Sequence, residues 1–213
     1  MYNVLFDLDG TLINSKEGII NSILYALEKL NIKEDRIHEL DTFIGPPLHE
    51  SFKLRYNLSE ELSDKAVAFY REYFSVKGLI ENKLYFGVRE LIESLSTQKY
   101  QLYVATSKPT VYAVQILQHF NLDKYFVEIV GSNFDNTHTD KIEILSHVIS
   151  KYSLKKENSV MIGDRKHDII GAKNNTIKSI GVTYGFGSLE ELTLHQPDFI
   201  ANNCSELKAI ITN

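Results

Sequence analysis

The sequence predicts an α/β fold, a doubly wound parallel sheet with a small all-helical domain inserted after the first strand. Short runs rich in β-branched and aromatic residues alternate with helical patterns, as happens when crossover helices join parallel strands. One early segment, residues 15–81, interrupts this alternation with helical patterns alone. A chain of 213 residues that is 43% hydrophobic can bury one large core or two modest ones.

The predicted strands are short and apolar, and each of the later ones is followed by a helical pattern. In chain order they are residues 2–6, 100–105, 127–130, 159–162, 177–182 and a final short strand around 199–200. Helices are expected at residues 88–95, 110–120, 141–152, 168–174 and 205–211. This order favours parallel strands with helices on both faces of the sheet.

The segment from Ser15 to Glu81 is predicted to be a separate helical domain. Apolar residues recur at helical spacing from Ile19 to Leu30 and from Leu62 to Phe74, and Gly45-Pro46-Pro47 between them marks a loop before another helix. The predicted boundaries are residues 1–14 with 82–213 for the core and 15–81 for the insertion, with hinges near Asn14 and from Gly78 to Lys83. The alternative is that these helices simply pack on the sheet.

Composition excludes several classes of protein. The net charge of −5 has the wrong sign for a protein that neutralises nucleic-acid phosphates. The single Cys204 cannot form an internal disulfide, which suits a reducing compartment. No apolar run approaches the roughly 20 residues that span a bilayer, and the amino terminus leaves no room for a signal core before the first strand. We therefore expect a cytoplasmic protein, a monomer or homodimer, that binds neither a nucleic acid polymer nor a membrane.

Acidic residues follow two of the predicted strands. Asp7 and Asp9 end the first strand, and Asp164 follows the strand at 159–162, with Asp168 one helical turn further on. Because the carboxyl ends of parallel strands bind ligands in open α/β folds, these acids are expected to meet at one edge, where Mg²⁺ would offset their repulsion. The simpler alternative for Asp164 and Asp168 is a helix N-cap and a first-turn carboxylate.

Two further strand ends suggest a phosphate site. Thr106 and Ser107 follow the strand at 100–105, where a hydroxyl and helix-start amides could bind phosphate oxygens. The alternative for Thr106 is an N-cap of the helix that begins near Pro109, a role that is compatible with phosphate binding. Lys141 precedes an apolar helix and could bring a positive charge to the phosphate. Taken alone, Lys141 would be a solvated surface residue.

Together these residues resemble the four motifs of the haloacid dehalogenase superfamily of phosphatases. The motifs occur in order over nearly the whole chain, as Asp7-Leu8-Asp9-Gly10-Thr11, Thr106, Lys141, and Gly163-Asp164 to Asp168. The length, the early helical insertion and Ile44-Gly45-Pro46-Pro47 look most like the phosphoglycolate phosphatase branch, and residues 163–172 also look like members known as 5'-nucleotidases. Lys141 lacks the Pro that often follows the motif lysine, so Lys108 is its rival.

The resemblance implies a Rossmann-like core with a helical cap of the C1 type, and Mg²⁺-dependent hydrolysis of a small phosphorylated metabolite. Asp7 would form an aspartyl-phosphate, while Asp9 would act first as acid and then as base. Mg²⁺ would be held by Asp7, the backbone carbonyl of Asp9 and Asp164, with Asp168 additional. Thr106, Ser107 and Lys141 would bind phosphoryl oxygens, and Gly45 and Pro46 would help the cap to select substrates.

Other functions remain open at this point. A 5'-nucleotidase or pyrophosphatase of the same family, or a β-phosphoglucomutase-type phosphotransferase, would use the same residues. A signalling receiver domain also combines strand-end Asp residues with a Thr or Ser and a Lys, but it lacks an acid at the position of Asp9 and a helical insertion of this size.

Overall fold

A six-stranded parallel sheet forms the centre of the protein, as the sequence predicts. The computed structural model describes residues 2–133 and 140–213. The strands are β1 (Asn3–Phe6), β4 (Gln101–Pro109), β5 (Glu128–Ser132), β6 (Ser159–Gly163), β7 (Lys178–Val182) and β8 (Phe199–Ala201). They lie in the order β5-β4-β1-β6-β7-β8, and two short strands, β2 (Ile13–Asn14) and β3 (Lys83–Leu84), form a second sheet. The α/β class is confirmed.

Helices precede or follow the strands of the large sheet from β4 onward. They are α4 (Val88–Thr97), α5 (Thr110–His119), α6 (Lys141–Lys151), α7 (Lys166–Asn175), α8 (Leu189–Leu194) and α9 (Cys204–Thr212). The sequence prediction omits α8, although Ser188 and Glu191 have the spacing of a capping box and the Ser188 hydroxyl accepts a hydrogen bond from the Glu191 N–H. Within the described part of the chain, no helix is both long enough and apolar enough to cross a membrane.

The central strand β1 is apolar on both faces because it is covered on both. Val4, Leu5 and Phe6 are all fully buried, the pattern typical of a parallel strand between two layers of helices. Leu5 belongs to a core cluster with Tyr103 of β4 and Leu145 of α6. The carboxyl end of β1 therefore lies next to the buried core.

The chain divides into two compact units, residues 1–14 with 84–213 and residues 15–83. The second unit contains α1 (Lys16–Lys29), a 3-10 helix (Ile37–Phe43), α2 (Leu48–Tyr56), α3 (Glu60–Tyr73) and a π-helical turn (Phe74–Gly78). Its core includes Phe43 and Phe52, whose ring centroids lie 5.1 Å apart in a T-shaped contact. All of its helices lie within the segment that the sequence assigns to the insertion.

Gly78, at the start of the expected hinge, lies in close contact with its neighbours. A Cβ atom on Gly78 would lie 2.7 Å from a ring carbon of Phe74, and one on Gly18 would lie 2.4 Å from the Gly78 carbonyl oxygen. The Asn82 side chain also donates hydrogen bonds to the carbonyls of Gly78 and Leu79. The close approach of Gly18 and Gly78 joins the two ends of the 15–83 unit, and the Asn82 hydrogen bonds close the turn that follows Gly78.

Candidate active site

Three carboxylates meet at the carboxyl edge of β1 and β6. The two strands are paired in register from Asn3 with Ser159 to Phe6 with Ile162, and the Asp7 N–H donates to the Ile162 carbonyl at 2.9 Å. Asp7 follows β1, Asp164 follows β6, and Asp168 lies in the first turn of α7. One carboxylate oxygen from each lies within 4.8 Å of the others. The edge predicted from the sequence thus brings these three acids together.

The backbone around these acids leaves room for little besides glycine. At Gly163 a Cβ atom would lie 2.0 Å from Cγ of Asp168, and at Gly10, which has φ of +84°, it would lie 2.3 Å from an Asp164 carboxylate oxygen. Asp168 is held in place because its Oδ2 accepts a hydrogen bond from the Arg165 N–H at 3.1 Å. This bond is the first-turn contact considered as the alternative for Asp168, and it coexists with its place among the three acids.

Lys141, the first residue of α6, lies between two of the acids. Its Nζ is 2.9 Å from Oδ1 of Asp7, 2.9 Å from Oδ1 of Asp168 and 2.8 Å from the carbonyl oxygen of Ala105. Burial works against its charge, but the carboxylates of Asp168 and Asp7 outweigh burial and raise the Lys141 pKa above its ordinary value. Lys141 is therefore a charged, buried residue rather than a solvated one.

Burial disfavours the ionised forms of Asp7 and Asp164. Burial raises the pKa of Asp7 to about 6, even though Lys141 opposes the rise. Burial, followed by repulsion from Asp168 and Asp7, raises the pKa of Asp164 to about 8. Crowded carboxylates of this kind are stabilised by a bound cation.

Asp164 is half satisfied by the glycine-rich loop that follows β7. Its Oδ2 accepts hydrogen bonds from the N–H groups of Phe186 and Gly187, at 2.7 and 3.1 Å. Its Oδ1 is buried and has no hydrogen-bond partner among the described residues. An unpartnered buried carboxylate oxygen beside two further acids suits a hard divalent cation such as Mg²⁺, which prefers oxygen ligands. The glycine-rich loop therefore lies beside the three acids.

Asp9 pairs with Lys108, the lysine considered as the rival of Lys141. The Lys108 Nζ lies 2.9 Å from Oδ2 of Asp9, and the two side chains are 7% and 19% exposed. The other carboxylate oxygen of Asp9 is buried and has no hydrogen-bond partner among the described residues. Lys108 therefore contacts Asp9, whereas Lys141 contacts Asp7 and Asp168. The two lysines occupy different positions in the site.

Thr106 and Ser107 lie on β4, which runs on to Pro109 rather than stopping at Ala105. The N-cap alternative for Thr106 is wrong, because α5 begins at Thr110 with Pro109 in the cap position. The Thr106 hydroxyl instead accepts the Lys108 N–H at 3.2 Å, and the Ser107 carbonyl accepts a hydrogen bond from the Ser132 hydroxyl at 2.9 Å. Asp164 is likewise not the N-cap of α7, a position taken by Arg165.

Gly45 and Pro46 lie in the other unit, in the loop between the 3-10 helix and α2. Gly45 has φ of +109°, a conformation that side chains other than glycine rarely adopt. A Gly45→Val change would therefore be strained. Residues 134–139, which precede α6, lie outside the described residues.

Sequence reasoning missed two features of the site. One is the ion pair between Lys108 and Asp9, for which the only signal is the lysine two residues after Thr106. The other is Tyr184, whose hydroxyl donates to the Thr11 carbonyl at 3.2 Å and whose ring lies 5.0 Å from that of Tyr85. Nothing in the local sequence marks these tyrosines as neighbours of the segment of residues 7–11 that follows β1.

Comparison with known proteins identifies relatives along the whole chain. The model of the family described as haloacid dehalogenase-like hydrolase matches residues 4–182. A 5'-nucleotidase of Pseudomonas aeruginosa is 46% identical over 208 residues, which cover 98% of this chain and 93% of that protein. A phosphoglycolate phosphatase of Vibrio parahaemolyticus is 29% identical over 216 residues, which cover 98% and 95%.

A further relative and a solved structure also match this chain. The tyrosine-protein kinase PtkA of Mycobacterium tuberculosis is 35% identical over 184 residues, which cover 86% of this chain but 62% of that protein. Among solved structures, that of a predicted phosphatase from Clostridium acetobutylicum superposes with a TM-score of 0.93 at 46% identity. It covers 100% of this chain and 99% of that one.

Proposed function

The chain belongs to the haloacid dehalogenase-like hydrolase family and is a phosphatase, and we propose that it hydrolyses small phosphomonoesters through a phosphorylated Asp7 in a Mg²⁺-dependent reaction. The observation that carries the proposal is the meeting of Asp7, Asp164 and Asp168 within 4.8 Å. The unpartnered Oδ1 of Asp164 supports a cation among them.

Asp7, Asp164 and Asp168 are the residues that would hold Mg²⁺, and the backbone carbonyl of Asp9 is a further proposed ligand. When bound, the ion supplies positive charge that offsets repulsion between the carboxylates and an incoming phosphate dianion. Asp168 also contacts Lys141 and the Arg165 N–H. We therefore assign it the additional ligand position or an orienting one.

Asp7 is the proposed nucleophile. The Lys141 ammonium, 2.9 Å from Oδ1 of Asp7, favours the ionised carboxylate. Attack by a carboxylate oxygen on phosphorus forms the Asp7–phosphate bond as the ester P–O bond breaks. Asp9 is proposed to give a proton to the leaving oxygen. The same carboxylate would then take a proton from the water that attacks phosphorus and releases inorganic phosphate.

Phosphoryl oxygens are proposed to bind near Thr106, Ser107 and Lys141. The carbonyl of Ala105, immediately before Thr106, accepts a hydrogen bond from Lys141. This contact ties the end of β4 to the lysine that pairs with Asp7. A positive charge fixed beside the nucleophile before substrate arrives is the kind of preorganised electrostatics that favours the transition state.

Two substrates have specific support. The relative that is 46% identical is a 5'-nucleotidase, which favours nucleoside 5'-monophosphates. Phosphoglycolate, the expectation from sequence, is supported by the relative that is 29% identical. The helical unit of residues 15–83 is the proposed cap that selects between them, with Gly45 and Pro46 as its proposed specificity elements. The receiver-domain alternative is not retained, because the chain belongs to a family of hydrolases.

A phosphate-release screen tests the proposal. The panel contains phosphoglycolate, AMP, glucose 6-phosphate, β-glucose 1-phosphate, pyrophosphate and 4-nitrophenyl phosphate, each with excess Mg²⁺ and with EDTA. We expect release that chelation abolishes, and a phosphoenzyme in the wild type that Asp7→Asn lacks because an amide is a poor nucleophile. Full activity in EDTA would refute the metal requirement. Conversion of β-glucose 1-phosphate without phosphate release would indicate the mutase alternative.

A further inference from the structure

Two lysines serve the acidic site, and their surroundings differ. Lys141 has three protein oxygens within 2.9 Å of its Nζ, from Asp7, Asp168 and Ala105. An ammonium group has three N–H donors, so these contacts match its full capacity. A direct bond from Lys141 to a substrate would have to displace one of them. Lys141 is therefore held beside the nucleophile, where its charge faces the phosphoryl group, and it has no donor to spare for the leaving group.

Lys108 contacts the acid on the other side of the proposed reaction. Its Nζ lies 2.9 Å from Oδ2 of Asp9, the group proposed to protonate the leaving oxygen. An oxygen that receives a hydrogen bond of about 2.8 Å from the Asp9 carboxyl group lies at most about 6 Å from the Lys108 ammonium if the bond comes from Oδ2, and at most about 8 Å if it comes from Oδ1. Lys108 is thus a charge placed on the leaving-group side of the site.

The backbone that carries Lys108 is held firmly. Its N–H donates to the Thr106 hydroxyl at 3.2 Å. A Cβ atom on Gly131 of β5 would lie 2.1 Å from the Lys108 carbonyl oxygen, so the two segments are in close backbone contact. The Gly131 N–H also donates to the Thr110 hydroxyl at 2.9 Å. These contacts hold the Lys108 backbone in place, and its buried side chain extends to Asp9.

We propose that Lys108 is a specificity-determining residue that binds an anionic group carried by the leaving group of the substrate. This inference rests on the proposed function, in which Asp9 faces the leaving oxygen. A carboxylate one carbon from the ester oxygen, as in phosphoglycolate, or a second phosphate on that oxygen, as in pyrophosphate, falls within reach of the ammonium. The leaving groups of nucleotides and sugar phosphates are neutral and offer Lys108 no charge.

The test compares substrates within one variant. Lys108→Gln should lower kcat/KM for phosphoglycolate and pyrophosphate about 10- to 100-fold more than for AMP and 4-nitrophenyl phosphate, mainly through KM, the scale of losing one hydrogen bond to a charged group. Lys108→Arg should restore part of the difference because it keeps the charge. Lys173→Gln, which removes an exposed lysine of α7, is the control and should leave all the ratios unchanged.

A binding measurement separates this inference from the proposed function. Calorimetry with Asp7→Asn protein, with and without Lys108→Gln, measures the affinity for phosphoglycolate and for 4-nitrophenyl phosphate without turnover. A selective loss of phosphoglycolate affinity supports the contact between Lys108 and the anionic group. If the wild-type protein also releases no phosphate, that second result refutes only the proposed function. Equal losses for both ligands, or no loss for either in folded protein, would overturn the role of Lys108.

Discussion

Removing Lys141 should destabilise the protein far more than removing another lysine of the same helix. Lys141→Met retains an unbranched side chain of similar length but leaves Asp7 and Asp168 without the ammonium that lies 2.9 Å from each. The Lys141 and Asp168 side chains are only 3% and 1% exposed. Taking one partner from a buried ion pair costs about 3–5 kcal/mol, because the remaining charge stays desolvated.

The matched control is Lys151→Met at the other end of α6. Lys151 also forms an ion pair, with Glu128, but its side chain is 47% exposed, and solvent-exposed pairs contribute only about 0–1 kcal/mol. For a chain of this size, about 2–4 °C in melting temperature corresponds to 1 kcal/mol. We therefore expect Lys141→Met to lower the melting temperature by about 6–20 °C and Lys151→Met by less than about 4 °C.

Thermal unfolding followed by circular dichroism at pH 7.5 in EDTA measures both shifts. Added Mg²⁺ should recover part of the loss in Lys141→Met, because a cation held by the acids stabilises the folded state in proportion to its occupancy. Similar melting temperatures for the two variants would refute the reasoning, since they would show that the buried acids do not depend on Lys141.

Three other results are expected. Asp9→Asn should slow turnover about 10²- to 10⁴-fold, the usual range for general acid–base catalysis; steady-state rates equal to wild type would remove Asp9 from that role. Gly163→Ala should weaken Mg²⁺ binding at least about tenfold, because the new Cβ would lie 2.0 Å from Cγ of Asp168 and must displace that carboxylate; a metal titration with unchanged affinity would contradict this. Hydrogen bonds from Arg55 and Tyr56 lower the pKa of Glu34 from 4.5 to about 2, so its stabilising contribution is complete above pH 4.5 and is lost as pH falls toward about 2. Over that range Glu34→Gln should flatten the pH dependence of the free energy of unfolding. An unchanged slope would show that the Glu34 carboxylate does not cause that dependence.

Much of the fold could be predicted because its signals are local. Strands such as β1 and β6 are apolar runs bounded by Asp and Gly, and helices such as α6 have apolar residues at helical spacing. Elements with weak local signals were missed, including the two-residue strands β2 and β3 and the six-residue helix α8. The end of β4 was placed too early because its last residues pair with β5 across an irregular register between Ala105 and Pro109, and sequence alone does not show pairing.

The sequence by itself determined the α/β class and the set of acids, because strand-end Asp residues in a parallel sheet must share one edge. Tertiary structure decided how the charges are paired. Lys108 and Lys141 are separated by 33 positions along the chain and are chemically identical, and only the packing of α6 against β4 places one beside Asp7 and Asp168 and the other beside Asp9. Ion pairing depends on distances of a few ångströms between groups far apart in sequence. Composition and periodicity carry no information on that scale.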